Sequence, residues 1–215
     1  LAGRKQLNGT GPVAACATGP VLHFVGSDDL RGAFQEEGVD DAVLLTDGDL
    51  QGAATAMGHS SNAYDIDDGH NMTRAHPGTS FVGAILAAAY ENNLTRDEFL
   101  TAMLVAYETT IRMGAAIMDY YQYAHSSGTF GAVGVAAGVG RIWGFDREQL
   151  NNVLSIAEFN APLVLGIRSV EYPSMNKDGV PFGVMIGCLA LQEALCGFEG
   201  NKNLLESEEH RHYLE

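Results

Sequence analysis

The chain has 215 residues, 46% of them apolar, and a formal charge of −15 from 12 Lys plus Arg against 27 Asp plus Glu. That length fits one domain or two small ones, and that apolar share is enough for a core, which excludes wholesale disorder. The acid excess argues against nucleic acid or an anionic membrane as a partner, because both call for a basic face. A small anionic substrate stays open, since its site needs only a few local cations. There are three lysines, Lys5, Lys177 and Lys202, so a lysine beside a candidate site is informative.

Residues 1–48 mix Gly, Asp and short apolar runs without a period, and Val21–Val25 and Val43–Leu45 read as short strands or helix pieces. A helical pattern starts near residue 50, with Asp49 as its cap, and runs toward Tyr64. A polar, irregular stretch from Asp65 to Gly78 follows. Thr79 or Ser80 then opens an apolar run, Phe81 to Tyr90. Thr95-Arg-Asp-Glu98 has the capping-box form, a hydroxyl at the cap and a carboxylate three residues on, and predicts a helix to about Met118. Phe99, Met103, Ala106, Thr110, Met113 and Ile117 recur on it at helical spacing.

A tyrosine cluster, Tyr120, Tyr121 and Tyr123, leads to His125, and residues 129–143 are rich in Gly and Ala. Asp146-Arg-Glu-Gln149 is a second cap, for a helix to about Phe159. Val180 to Leu195 is an apolar helix closed by Gly197, and a charged tail ends the chain. Extended alternation is scarce, so the fold class is all-α. Gly131, Gly134, Gly138, Gly183 and Gly187 each cost roughly 0.5–1 kcal/mol relative to Ala in a helix, and close helix–helix approach is the compensation expected. No apolar stretch approaches ~18 residues, the length of a membrane span. Leu1 to Thr10 is polar, without the apolar core of a signal peptide, and the chain does not begin with Met; a processed chain or a fragment is expected. Cys16, Cys188 and Cys196 have no C-x-x-C spacing and read as free thiols in a reducing compartment.

Three segments concentrate chemistry-bearing residues. Asp65, Asp67, Asp68, His70, Arg74 and His76 fall within twelve positions. Such density suits general acid–base work, a solvated loop whose carboxylates cap the next helix, or metal ligation by Asp65, Asp67, Asp68, His70 and His76. The second segment, His125-Ser-Ser127-Gly-Thr129, precedes a Gly-rich helix start, where main-chain N–H groups attract carboxylate or phosphate. The third holds Gly166-Ile-Arg168 and Tyr172-Pro-Ser-Met-Asn-Lys177-Asp-Gly179. Arg168 and Lys177 there are two surface cations or a clamp for a carboxylate, the one a planar fork, the other a point charge.

Together these segments resemble the MmgE/PrpD family, whose members include 2-methylcitrate dehydratase, cis-aconitate decarboxylase and an iminodisuccinate epimerase. The resemblance rests on Asp65-Ile-Asp67-Asp68 with His76-Pro77-Gly78, on His125 with Thr129 and Gly131, on Trp143-Gly-Phe-Asp146, on Gly166-Ile-Arg168 with Ser174-Met-Asn-Lys177, and on Gly197-Phe-Glu-Gly200. Gly69 stands where many members carry Thr. The resemblance implies a packed Gly/Ala-rich helical domain over residues 49–200, flanked by a poorly matched segment, 1–48, and a charged tail, 201–215. The α+β lid domain that follows the helical domain in the family has no counterpart in this sequence.

The resemblance also implies a lyase-type enzyme acting on a small di- or tricarboxylate by moving a proton next to a carboxylate. Dehydration of 2-methylcitrate is the default; cis-aconitate decarboxylation, iminodisuccinate-type epimerisation and a lid-less, non-catalytic partner subunit are the alternatives. By matching position, Asp65, His76, His125 and Lys177 form the catalytic set. Arg74, Arg168, Lys177, Asp68 and Ser127 are the substrate-binding set. No metal and no cofactor is implied. A homodimer is, in the cytoplasm or, in a eukaryote, the mitochondrial matrix.

Overall fold

The computed structural model describes residues 50–63, 67–118, 127–171 and 177–201. Asp49, Asp65, the tyrosine cluster, His125, Ser174, the two short apolar runs of segment 1–48 and residues 202–215 of the charged tail lie outside the described residues. Six α-helices lie among the described residues: α1 Leu50–Asn62, α2 Val82–Asn92, α3 Arg96–Met118, α4 Ser127–Ile142, α5 Arg147–Asn160 and α6 Val180–Leu195. Among the described residues there is no strand, and bridge positions such as the His70–Ala75 pair are isolated, so the all-α expectation holds.

Local chemistry sets the helix ends. At the start of α3 the Glu98 carboxylate accepts from the Thr95 main-chain N–H at 2.9 Å and from its hydroxyl at 2.8 Å. Those two donors, the main-chain one foremost, hold the Glu98 carboxyl below its usual range. Asp146 and Gln149 close a reciprocal capping box at the start of α5, with bonds of 2.9 and 3.0 Å. The run from Phe81 starts later than the sequence suggests: residues 78–80 form a 3-10 turn, and the α-helix begins at Val82. α2 ends on Asn93 in the left-handed region, a conformation that Asn tolerates.

α4 is the axis of the core, buried at every position from Ser127 to Gly140. α3 and α6 pack on it most extensively, with α5 and α2 beside them, and α1 lies on α6 and α2. Large side chains at the centre are few, chiefly Phe81, Phe130, Ile85, Leu86, Ile156 and Leu191; small residues fill the rest. That composition brings main chains together. A Cβ on Gly128 would overlap the Gly179 carbonyl oxygen, and one on Gly183 would overlap the Gly128 carbonyl oxygen. The N-terminal ends of α4 and α6 therefore touch backbone to backbone. Cys188 is buried and Cys196 is exposed, both as free thiols. No helix among the described residues is long and apolar enough to cross a membrane.

Gly128→Ala is expected to lower stability by at least about 1–3 kcal/mol, because backbone atoms cannot swing away as a side chain can. Gly69→Ala, with nothing within 4 Å of its added methyl group, is the control and leaves the melting curve unchanged. Urea denaturation followed by circular dichroism measures both.

Candidate active site

The contact between α4 and α6 also fixes the polar groups around it. Asp178 and Gly179, on the turn that enters α6, both adopt the left-handed conformation, with φ of 50° and 65°. The Asp178 carbonyl accepts from the Gly128 N–H at 3.0 Å, and the Asp178 N–H donates to the Ser169 hydroxyl at 3.3 Å. The main chain here is thus pinned from two sides. Asp178 is only 3% exposed, and its carboxylate oxygen lies 3.8 Å from His76 Nε2.

His76 is held from several directions. Its N–H donates to the Ser127 hydroxyl at 2.9 Å, and its carbonyl accepts from the Ser80 hydroxyl at 3.1 Å. Ser80 also reaches the Ser127 carbonyl, at 3.0 Å, so one serine ties the His76 loop to the first residue of α4. On the ring, Nδ1 lies 2.6 Å from the Asp68 carbonyl oxygen and 3.5 Å from the Asp67 carboxylate. Asp67 takes a 2.8 Å hydrogen bond from the Asn62 amide at the end of α1, while its oxygen nearer His76 is buried and has no hydrogen-bond partner among the described residues. The imidazole is therefore flanked by carboxylates, Asp67 toward Nδ1 and Asp178 toward Nε2.

Asp68 has a different task. Its carboxylate accepts from the Gly78 N–H at 2.9 Å and from the Tyr107 hydroxyl at 3.3 Å, which clamps the His-Pro-Gly turn onto α3. Gly78 permits this, since a Cβ there would overlap the Tyr107 oxygen. Burial, and secondarily the Asp68 carboxylate beside it, pushes the Tyr107 phenol up to about 12 from 10.0.

Of the residues singled out in the sequence, His76, Asp68 and Ser127 are brought together, and Lys177 stands next to Asp178 on the turn that faces His76. Ser127 is fully buried, and its hydroxyl accepts from the His76 main chain. Arg74 is exposed, at a positive φ of 48°, on the same loop as His76. Arg168 lies at the surface, 65% exposed, in a 2.8 Å ion pair with Glu171. Asp65 and His125 lie outside the described residues. Reasoning from the sequence passed over Asp178, Asn62 and Tyr107, and weighed Asp67 as one of a cluster of carboxylates without a role of its own. The signal for Asp178 was an acid before Gly at the mouth of an apolar helix; Tyr107 gave none beyond its place on a helix.

Among the described residues no group of three or more His, Cys, Asp or Glu side chains is arranged to hold a metal ion. An apolar groove lined by Leu189, Gln192, Glu193, Cys196, Gly197 and Phe198 lies at the far end of α6, away from His76.

The helical architecture and the motif order converge with a comparison against known families. The model of the MmgE/PrpD N-terminal domain matches residues 15–211. The chain belongs to the MmgE/PrpD family. The match takes in both the Asp67–His76 loop and the Lys177–Gly179 turn of this MmgE/PrpD domain. No curated protein gives a match.

Two expectations follow. Ser127→Ala leaves the buried His76 N–H without its acceptor and costs about 1–3 kcal/mol, read as a lower denaturation midpoint. A phenol whose folded value lies above its unfolded one stabilises the fold below the unfolded value, and that contribution is lost as pH rises through the folded value. Thermal stability therefore falls between pH 10 and about 12. The difference in melting temperature between wild type and Tyr107→Phe shrinks across that window.

Proposed function

We propose that this chain carries the helical part of the active site of a lyase-type enzyme that moves a proton next to a carboxylate of a small di- or tricarboxylate, with 2-methylcitrate dehydration as the reaction. The observation that carries the reading is the imidazole of His76, held by main-chain bonds and flanked by the carboxylates of Asp67 and Asp178, one residue from Lys177. Such chemistry needs a base for the proton on carbon, an acid for the departing hydroxyl, and cations for the substrate carboxylates.

His76 and His125 are the proposed proton-transfer groups, since imidazole ordinarily titrates near neutrality. Asp65 orients one of them. Lys177 binds a substrate carboxylate, and Arg74 and Arg168 are the further cations offered to it. In the frame around them, Asp68 and Ser127 hold the His76 loop against α3 and α4. The acid excess of the whole chain does not oppose this, because Asp68 is spent on hydrogen bonds within the fold. A homodimer is the proposed assembly.

The test is turnover of 2-methylcitrate, cis-aconitate and iminodisuccinate by the full chain, followed by mass spectrometry of the products. Loss of water from 2-methylcitrate is the expected result. Decarboxylation of cis-aconitate or epimerisation of iminodisuccinate in its place would reassign the reaction within the family, and turnover of none would overturn the enzymatic reading. His76→Gln and Lys177→Ala are each expected to lower kcat/KM by about 100-fold or more. Activity left at the wild-type level would remove that residue from the site.

A further inference from the structure

We propose that two copies of this chain pair through the outer face of α3, antiparallel about a two-fold axis at Leu104, with Arg112 of each copy set against Asp97 of the other. The inference rests on the homodimer proposed above and assigns it an interface. It does not depend on the reaction.

The two sides of α3 differ in kind. Phe99, Ala102, Ala106, Thr110 and Met113 are buried against the rest of the fold. On the opposite side, one turn apart, Leu100 and Leu104 are 47% and 62% exposed, and Ile111 continues their line half-buried. A single exposed leucine is ordinary, but a line of apolar side chains along one helix face calls for a cover. α6 also exposes apolar side chains, Phe182 and Leu189. Glu193 is the one charged residue between Val180 and Leu195, so α6 has no opposite charges of its own to set against a copy of itself.

Charge selects the cover for α3. Each copy carries −15, so two copies repel at a distance, and pairing is favoured where opposite charges meet locally. The outer face of α3 supplies them in a self-complementary order. Asp97 stands seven residues before Leu104, and Arg112 eight after it. Helix geometry puts them about 10 Å below and about 12 Å above Leu104, on the same side of the leucine line, turned from it by roughly 20° and 80°. A two-fold axis at Leu104, perpendicular to α3, exchanges heights above and below it and keeps each side of the seam on its own side. Arg112 of one copy therefore comes level with Asp97 of the other, twice. Leu104 meets its counterpart, and Leu100 and Ile111 fill the other side of the seam. Such a closed pair uses the same patch on both copies. Arg112 already gives Nε and a terminal nitrogen to Glu108, each at 2.8 Å, which holds the guanidinium at the surface. Its five N–H groups leave donors for a second carboxylate.

Sedimentation equilibrium of the full chain tests this, with circular dichroism confirming that each variant is folded. The wild type is expected at twice its 22.9 kDa mass when the chain is at about 10 µM. Leu104→Glu puts two carboxylates on the axis and is expected to raise the dimer Kd by about 100-fold or more, while Phe182→Glu on α6 leaves it unchanged. Asp97→Arg and Arg112→Asp each bring like charges together twice and are expected to weaken pairing by about tenfold or more. Mixing these two variants sets the new cation against the new anion and the remaining Arg112 against the remaining Asp97, so a mixed dimer is expected to return. A merely structural effect of either substitution would not be rescued in this way. A monomeric wild type would sink the homodimer together with its interface and leave the proposed reaction standing. A dimer that survives Leu104→Glu or dissociates with Phe182→Glu would overturn this interface alone, as would single charge variants that pair like the wild type or a mixture that stays monomeric.

Discussion

Gly128 donates its main-chain N–H to the Asp178 carbonyl at 3.0 Å, and no side chain stands between the two strands of backbone that meet there. The close approach depends on Gly128 and Gly183, each of which leaves room for a carbonyl oxygen of the other element. A methyl group at either place would push the entry turn of α6 away from α4. Because Ser127 holds the His76 N–H and Asp178 faces the His76 ring, such a shift would part the imidazole from its carboxylate. Packing and site geometry are in this sense one constraint.

The charges around the site follow from the same economy. Asp67 is tied by the Asn62 amide, and Asp68 by the Gly78 N–H and the Tyr107 hydroxyl, so the first acidic segment is largely occupied in holding its own loop. Of the readings open for that segment, the hydrogen bonds of Asp68 match a loop whose carboxylates hold the next turn. Asp68 does the holding of the loop, and His76 is what the loop presents. Arg168, by contrast, spends its guanidinium on Glu171, three residues along the chain.

Much of the fold was legible because its punctuation is chemical. Thr95 with Glu98, Asp146 with Gln149, and Gly179 ahead of Val180 mark helix starts that the structure reproduces, the first two by capping hydrogen bonds and Gly179 by a left-handed turn into the helix. The start at Phe81 was less clear, because a 3-10 turn precedes the helix and has no periodicity of its own. The glycine spacing announced close packing but not its partners. At the site, motif residues such as His76 and Lys177 could be named one segment at a time. The facing of Asp178 toward His76 could not, because it is produced by the docking of α6 on α4 and leaves no trace in either segment. Tyr107 was hidden for the same reason: its hydroxyl matters only once the His-Pro-Gly turn lies against α3.

The backbone contact between the two helix ends has a further consequence for how such a protein can diversify. Since main-chain atoms carry the register between His76 and Asp178, the identity of surface residues such as Arg74 and Arg168 has little leverage on it. A change of charge at those side chains leaves the main-chain contacts between α4 and the entry turn of α6 as they are. A scaffold built this way lets side chains at the rim change while the packing of α4 on α6 stays as it is.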